Sequence, residues 1–333
     1  MDWGSIFSNT LSALLGWEVV AYALAAIGLN IHFGYTGLLN FGQAGFMAVG
    51  AYGVAMGMST FGLGLGMAFL FAVAFTVVLA LLLGVPTLRL RADYLAIVTI
   101  AAAEILRLFF RAASLSDYTG GSDGLQGRPP FVSDFRALSP FDQNAYSLGP
   151  IDMSGDTLWV VTVGWAVVAL GTLLVYLLMR SPWGRVLKGI REDEEAVRSL
   201  GKNVFAYKMQ SLVIGGLFGA FAGMIFAFAQ ASANPDNFSP QTTFFAYTVL
   251  ILGGAARVFG PIVGALIFWA SLVFLENFLF NAIAAGWVPD AIMDSTQASQ
   301  VRFILVGLVL MLLMIYRPQG IFGDKRELQL DAR

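Results

Sequence analysis

Apolar stretches long enough to cross a lipid bilayer recur along almost the whole chain. A membrane-spanning helix needs about 20 mostly apolar residues, and such stretches follow one another from residue 10 to residue 316. We predict nine spans, at 10–30, 40–58, 62–84, 93–110, 157–179, 206–230, 243–257, 259–280 and 301–316. The expected fold class is therefore all-α, a multi-pass transmembrane helical bundle formed by a single domain over 1–333.

The composition supports a bilayer rather than water as the solvent of this chain. Hydrophobic residues make up 58% of the chain and charged residues 12%, whereas soluble domains carry about 25% charged residues. The net charge of −2 gives no indication of nucleic-acid binding. The chain has no cysteine, which excludes disulfides and thiol chemistry. The segment Met1–Gly4 has no basic residue, so we expect the first apolar segment to be retained as a span.

The basic residues predict an orientation in the membrane. With nine spans, fourteen of the 19 lysines and arginines fall on one side and five on the other. Cytoplasmic loops carry the excess of Lys and Arg. We therefore expect the N-terminus outside and the C-terminus inside, in a multi-pass protein of the cell membrane.

Two connections between the predicted spans are long. Residues 111–156 are rich in Gly, Pro, Ser and Asp and form the predicted external loop. Residues 180–205 are strongly charged and form the predicted cytoplasmic loop. In this second loop, Ser181 and Pro182 are typical of a helix start and Gly201 of a helix stop. A partial apolar stripe between the charges favours a short amphipathic helix pair that contacts a cytoplasmic partner. The alternative is a solvated loop that only sets orientation.

The cytoplasmic loop carries the first family resemblance. The run Glu195-Ala196-Val197, followed after three residues by Gly201, resembles the Glu-Ala-Ala…Gly loop of ABC importer permeases. Five further segments resemble sequence blocks of the branched-chain amino acid permeases of LivM type. These are Gly34–Phe46 with Gly50–Tyr52, Leu88–Thr99, Thr119–Leu125, Leu252–Gly254 with Gly260–Ala265, and Arg317–Gly323.

The resemblance implies a function and a set of partners. It implies a permease subunit of a high-affinity ABC importer for branched-chain or other neutral amino acids. The implied partners are a LivH-like second permease, two ABC ATPase subunits (LivG/LivF-like) and an external substrate-binding protein. ATP and Mg would be bound by the ATPase subunits, and no cofactor by this chain. The loop that docks on the ATPase in this family corresponds here to the ATPase-coupling candidates Arg185, Arg191, Glu195, Ala196 and Gly201.

The sequence is consistent with ATP hydrolysis by a separate subunit. No Gly-x-x-x-x-Gly-Lys-Ser/Thr phosphate loop occurs in the chain. No Ser-His-Asp arrangement or pair of catalytic carboxylates is evident, so nothing in the sequence indicates an enzyme. With one histidine and no cysteine, we expect no metal site.

A polar, glycine-rich segment opens the second predicted span. Glycine lets backbone approach a ligand, and an exposed helix N-terminus offers N–H groups to a carboxylate. Small residues equally serve tight helix packing in membranes. Both interpretations stay open for the translocation-pathway candidates Asn40, Gly42, Gln43, Ala44 and Gly45. Three further small-xxx-small pairs, beginning at Gly53, Gly219 and Gly260, are assigned to packing.

Few charged residues fall inside the predicted spans. Glu104 and Arg107 are one helical turn apart, which favours a structural ion pair near the outer rim over a functional acid. Glu18 and Glu276 are candidates for interface anchors. The lone histidine, His32, is expected at a loop edge, solvated or capping a helix.

Two other functions compete with the ABC permease. A stand-alone secondary transporter usually needs midplane acids for its coupling ion, and a membrane-embedded enzyme needs a catalytic cluster. The cargo also has an alternative, because permeases for urea or short amides are close relatives of the family. The scarcity of fixed charges in the predicted spans favours a neutral or zwitterionic solute.

Overall fold

The structure is a computed structural model that describes residues 2–89, 92–126, 132–142, 144–148, 151–287, 295–317 and 319–323. It is predominantly helical. The helices are α1 (Trp3–Leu15), α2 (Trp17–Leu29), α3 (Gln43–Ser59), α4 (Leu65–Thr87), α5 (Ala92–Arg111), α6 (Ser116–Thr119), α7 (Ser133–Ala137), α8 (Gly155–Arg180), α9 (Pro182–Glu192), α10 (Glu194–Ser199), α11 (Val204–Gln230), α12 (Pro240–Gly253), α13 (Gly260–Ala284) and α14 (Ser295–Tyr316). A π-helical segment, Asn30–Tyr35, continues α2 and is called here the π segment. Single-turn 3₁₀ helices occur at Ala113–Leu115, Gly121–Asp123 and Pro235–Phe238.

Helix α2 lies at the centre of the bundle and is covered on every side. Each residue from Val19 to Leu29 is buried. A helix that is apolar all round has no preferred outer face, and it packs among other helices or in lipid. Helices α3, α8, α11, α12 and α13 surround α2 and supply the protein side of this packing.

Small residues set how closely the central helices approach. A Cβ at Gly50 would overlap the backbone of Ala220, and one at Gly223 would overlap the backbone of Met47, so α3 and α11 pack backbone to backbone. One turn further along α3, Gly53 meets Ala72 of α4, where an added Cβ would lie 2.7 Å from the Ala72 Cα. The predicted packing role of the small-xxx-small pairs is confirmed.

The outer helices present apolar side chains away from the protein. On α4 the side chains of Leu70, Leu82 and Val85 are 58%, 68% and 52% exposed. Apolar exposure on this scale marks contact with lipid or another apolar partner. Among the described residues, the helices long and apolar enough to cross a membrane are Trp17–Tyr35, Leu65–Thr87, Gly155–Arg180, Val204–Gln230 and Gly260–Ala284. The count of nine spans and the orientation stay predictions.

The first predicted span, 10–30, is wrong as a single helix. The chain forms α1 and α2 with a break at Gly16, whose φ of −59° and ψ of 158° are extended. Helix α1 contacts α13 through both polar and apolar side chains. Asn9 Nδ2 donates to Asn277 Oδ1 at 2.9 Å, and the rings of Phe7 and Phe274 are 6.4 Å apart. Ile6 is the buried side chain of α1, and Phe7 is 61% exposed.

The helical content is consistent with the predicted all-α membrane bundle, and four short strands lie in the polar connections. Strand β1 (Leu125–Gln126) pairs antiparallel with β4 (Ser232–Ala233), and β2 (Ala145–Leu148) forms a hairpin with β3 (Ile151–Ser154). Pairing gives these non-helical backbone groups hydrogen-bond partners without a helix. The predicted external loop 111–156 therefore has local structure, with α6 and α7 as well as three of the strands.

Part of the orientation prediction cannot be placed on the structure. Five of the basic residues used for it lie outside the described residues: Arg91, Arg128, Lys325, Arg326 and Arg333.

Candidate functional site

A buried polar junction forms around the π segment. Asn30 and His32 of this segment are 1% and 0% exposed. The Nδ1 atom of His32 accepts a hydrogen bond from Asn40 Nδ2 at 3.0 Å, and Nε2 donates to the Leu212 carbonyl oxygen of α11 at 3.2 Å. We call this group of contacts the polar junction. The π-helical turn is widened by one residue relative to an α-helix, and such turns are frequent at functional sites.

The expected position of His32 at a solvated loop edge is wrong. Glycine 215 of α11 leaves room for the imidazole, since a Cβ there would overlap the ring. Polar residues inside a membrane bundle are satisfied by neighbouring helices rather than by water. His32 therefore links two helices and a loop.

The polar translocation-pathway candidates belong to the same junction. Gln43 at the start of α3 places Nε2 3.3 Å from the carbonyl oxygens of both Ala25 and Gly215, and its Oε1 accepts from Asn40 Nδ2 at 3.3 Å. The Tyr247 hydroxyl of α12 donates to the Asn40 carbonyl oxygen at 2.9 Å. The junction therefore gathers α2, α3, α11 and α12 around uncharged polar groups.

The backbone candidates lie against neighbouring helices. Ala44 N donates to the Thr243 hydroxyl of α12 at 2.9 Å. A Cβ added at Gly42 would lie 2.5 Å from the Thr99 carbonyl oxygen of α5, and one at Gly45 would lie 3.1 Å from the Ala103 Cα. All five candidates, Asn40, Gly42, Gln43, Ala44 and Gly45, are buried. In this conformation the glycines serve close contact between α3 and α5, and a role in solute passage stays a prediction.

A second glycine-rich break meets the junction from the other half of the chain. Asn30 Nδ2 donates to the Arg257 carbonyl oxygen at 2.8 Å, and Asn30 Oδ1 accepts from Ala256 N at 2.8 Å. The turn it holds is strained, because Ala256 has a φ of 59°, which L-residues rarely adopt. Asn30 thus ties the π segment to the connection between α12 and α13.

Helices α9 and α10 form a pair at the surface of the bundle. The Ser181 hydroxyl accepts from Trp183 N at 3.2 Å to cap α9, and Asp193 Oδ1 accepts from Glu195 N and Ala196 N at 2.9 and 3.0 Å to cap α10. Gly201 follows with a φ of 77°, so the predicted helix stop uses the left-handed conformation that glycine favours.

One side of the helix pair is buried against the bundle, and the other side is exposed. Leu187 and Ile190 of α9 are buried against the bundle. Arg185, Glu195 and Ala196 are exposed, and Leu200 is 79% exposed. The exposed side of the pair therefore combines charged side chains with one exposed apolar side chain.

Arg191 joins the helix pair to the polar junction. Its Nη1 donates to the Gly34 carbonyl oxygen of the π segment at 2.6 Å. The loop after the π segment lies against the Arg191 side chain at Gly37, whose φ of 74° is the left-handed conformation that glycine favours. Of the ATPase-coupling candidates, Arg191 is thus the one that reaches inward.

The ion pair of α5 extends into a network. Arg107 Nη2 lies 2.6 Å from Glu104 Oε1, and Arg107 Nη1 lies 2.6 Å from Asp236 Oδ1 of the 3₁₀ turn before α12. Arg111 Nη1 adds a contact to Asp236 at 3.3 Å. The network ties the end of α5 to the start of α12.

Glu276 and Glu18, the two other acids inside the predicted spans, have different surroundings. Glu276 of α13 pairs with Arg302 of α14, so it contacts a neighbouring helix. Glu18 lies in the first turn of α2 and is partly buried.

Sequence reasoning missed Asn30, Tyr247 and Asp236. Their partners lie 226, 207 and 129 residues away along the chain, and nothing local distinguishes these residues from other polar residues near helix ends. The one available signal was chemical: an asparagine within an otherwise apolar span needs partners inside the bundle.

A lipid-facing helical bundle around a buried polar junction, with a capped helix pair on its surface, defines a polytopic integral membrane protein. A sequence profile described as "Branched-chain amino acid transport system / permease component" matches residues 12–316. The chain belongs to this family of ABC transporter permeases.

Individual relatives agree with the profile. The chain is 31% identical over 312 residues to the high-affinity branched-chain amino acid transport system permease protein LivM of Escherichia coli (strain K12), a match that covers 92% of this chain and 68% of that protein. It is 24% identical to the corresponding LivH protein of Salmonella typhimurium, with 91% of each chain covered. It is 27% identical to the nucleoside ABC transporter permease protein NupC of Lactococcus lactis, with 76% of each chain covered.

Proposed function

We propose that this chain is the permease subunit of an ATP-driven importer in the cell membrane, with branched-chain or other neutral amino acids as cargo. The observation that carries the proposal is the capped helix pair α9–α10, which Arg191 connects to the polar junction. Under this proposal two LivG/LivF-like ATPase subunits bind ATP and Mg and hydrolyse ATP. A LivH-like second permease and an external substrate-binding protein complete the importer.

The outer face of the helix pair suits an ATPase dock. It combines the exposed charged residues Arg185 and Glu195 with the exposed apolar side chain of Leu200. Its inner face is anchored by the buried side chains Leu187 and Ile190. A force applied from the cytoplasm would therefore move the pair as a unit rather than bend a loose loop.

The inner contacts give this force a route to the bundle core. Arg191 holds the Gly34 carbonyl oxygen, and four residues earlier Asn30 holds the backbone of Ala256 and Arg257. His32, between them, contacts Asn40 at the beginning of the pathway candidates. The π segment thus joins α9 to both glycine-rich breaks. A contiguous set of contacts is the physical requirement for coupling two distant sites in this way.

The cargo assignment rests on chemistry and relatives together. The pathway candidates offer amide groups and backbone and no charged side chain, which suits an uncharged or zwitterionic solute. The similarity to LivM favours a branched-chain amino acid, and the similarity to NupC makes a nucleoside the second candidate. Urea and short amides remain the alternative from the sequence. Binding isotherms on the partner substrate-binding protein with leucine, uridine and urea separate the three.

The dock is tested with Glu195→Lys and Gly201→Val in the reconstituted importer. Lysine at 195 would place like charge against a basic partner surface, and like-charge contact at an interface costs on the order of several kcal/mol. Valine at 201 would force a β-branched residue into a left-handed conformation. We expect both variants to insert in the membrane and to lose ATPase association, cargo-stimulated ATP hydrolysis and uptake together.

Asp152→Lys is the matched control, since it makes the same charge change on the exposed β2–β3 hairpin. It should leave ATPase association unchanged. Normal association and stimulated hydrolysis in both loop variants would reject the dock. Uptake by the purified chain alone, without any ATPase, would favour a secondary transporter.

A further inference from the structure

A basic cavity lies beside the helix pair, next to the end of the π segment. It has a volume of about 420 Å³ and opens where the end of α8, the helix α9 and the turn before α13 meet. Arg180, Lys188 and Arg257 line it. Among the described residues that line the cavity, none is acidic.

Two of these cations rest on aromatic rings. The Arg180 guanidinium carbon lies 4.2 Å from the ring centre of Tyr176, and Lys188 Nζ lies 5.9 Å from that of Tyr35. Within the described part of the chain, neither cation has a carboxylate in an ion pair. A cation held on a ring face keeps its N–H donors available. The cavity is thus built to hold an anion.

The helix that carries Arg180 also provides an apolar surface leading to the cavity. Four leucines on one side of α8 are 67%, 53%, 48% and 57% exposed, namely Leu170, Leu173, Leu174 and Leu177. Phe259, which lines the cavity, is 60% exposed. A soluble anion would leave this apolar surface uncovered, whereas the acyl chains of a lipid would cover it.

We propose that this cavity binds the phosphate-bearing headgroup of an anionic phospholipid, with Arg180 and Lys188 as its ligands and the α8 leucines as the seat of its acyl chains. Clusters of basic residues at the end of a membrane span attract anionic headgroups. The bound lipid would lie against α9 near Arg191, and Arg191 would not be one of its ligands.

The test is native mass spectrometry of the full chain released from a neutral detergent, with phosphatidylglycerol or phosphatidylcholine of identical acyl chains added. Wild-type protein should retain phosphatidylglycerol preferentially. Each basic side chain near an anionic surface contributes about 1 kcal/mol, so the Arg180→Gln/Lys188→Gln variant should bind phosphatidylglycerol about 30-fold more weakly. Its phosphatidylcholine binding should not change.

Arg89→Gln/Lys202→Gln removes two basic residues outside the cavity and should keep the preference. Tyr176→Leu, which leaves both cations in place, should weaken retention part of the way. Melting curves in detergent check that each variant is folded. The proposal is overturned if the control loses the preference as much as the cavity variant, since attraction would then be diffuse. It is also overturned if inorganic phosphate displaces the lipid at equal concentration, which would assign a soluble anion.

Discussion

Asn30→Ala is the change that most directly tests how the two halves of the chain are joined. Asn30 is 1% exposed and its amide makes two hydrogen bonds of 2.8 Å, one to the nitrogen of Ala256 and one to the carbonyl oxygen of Arg257. Alanine would remove both bonds and leave the Ala256 nitrogen and the Arg257 carbonyl oxygen without their Asn30 partner. The turn before α13 would then lose both hydrogen bonds that Asn30 makes to it.

The expected loss follows from those two backbone groups. A buried polar group left without a partner costs about 1–3 kcal/mol. Hydrogen bonds between helices in membranes average about 0.6 kcal/mol in double-mutant cycles, so the lower half of that range applies. Each of the two groups should therefore cost about 1–2 kcal/mol, so we expect Asn30→Ala to lower the free energy of unfolding by about 2–4 kcal/mol.

The measurement is unfolding of the full chain in mixed micelles by titration with a denaturing detergent. Asn9→Ala is the matched control, because Asn9 is exposed and makes one side-chain hydrogen bond of 2.9 Å to Asn277. It should lower the free energy of unfolding by less than about 1 kcal/mol.

Gly34→Ala should disturb the same contact between Asn30 and Ala256. An added Cβ would overlap Asn30 Oδ1 and lie 2.7 Å from Ala256 N. Because both substitutions break one contact, the double variant Asn30→Ala/Gly34→Ala should be clearly less destabilised than the sum of the two. Equal losses for Asn30→Ala and Asn9→Ala, or full additivity in the double variant, would refute the idea that Asn30 joins the π segment to the turn before α13.

Three further outcomes are expected. Gly42→Ala should lower the free energy of unfolding by about 1–3 kcal/mol, because its Cβ would lie 2.5 Å from a carbonyl oxygen of α5; Gly66→Ala, with no atom within 4 Å, should leave it unchanged or raise it by up to about 1 kcal/mol. A cysteine at Ser122 should react with an impermeant thiol reagent only from outside and one at Lys202 only from inside, and the reverse result would reject the N-out orientation. Arg107→Gln should destabilise by at most about 1 kcal/mol, with a smaller effect in high salt, because its carboxylate partners are 34% and 54% exposed; a loss above 3 kcal/mol would mean that the network is deeply buried.

The sequence by itself determined the features that depend on neighbouring residues. Apolar stretches located helices within a few residues, as with 206–230 predicted and Val204–Gln230 observed. Ser181 before Pro182 marked the start of α9, and Gly201 marked the stop, because caps and left-handed turns depend on the residue in place. Spaced small residues marked close helix contacts, and ordered motifs marked the family.

Only the tertiary structure decided which surfaces meet. In a bilayer an apolar side chain can pack against lipid as well as against protein, so helix periodicity does not tell which face is buried. For this reason the central position of α2 and the break at Gly16 could not be predicted from the pattern of apolar residues. His32 and Asn30 found partners 180 and 226 or more residues away. Such pairs exist because the packed helices bring those backbone groups within reach, and no local pattern encodes that distance.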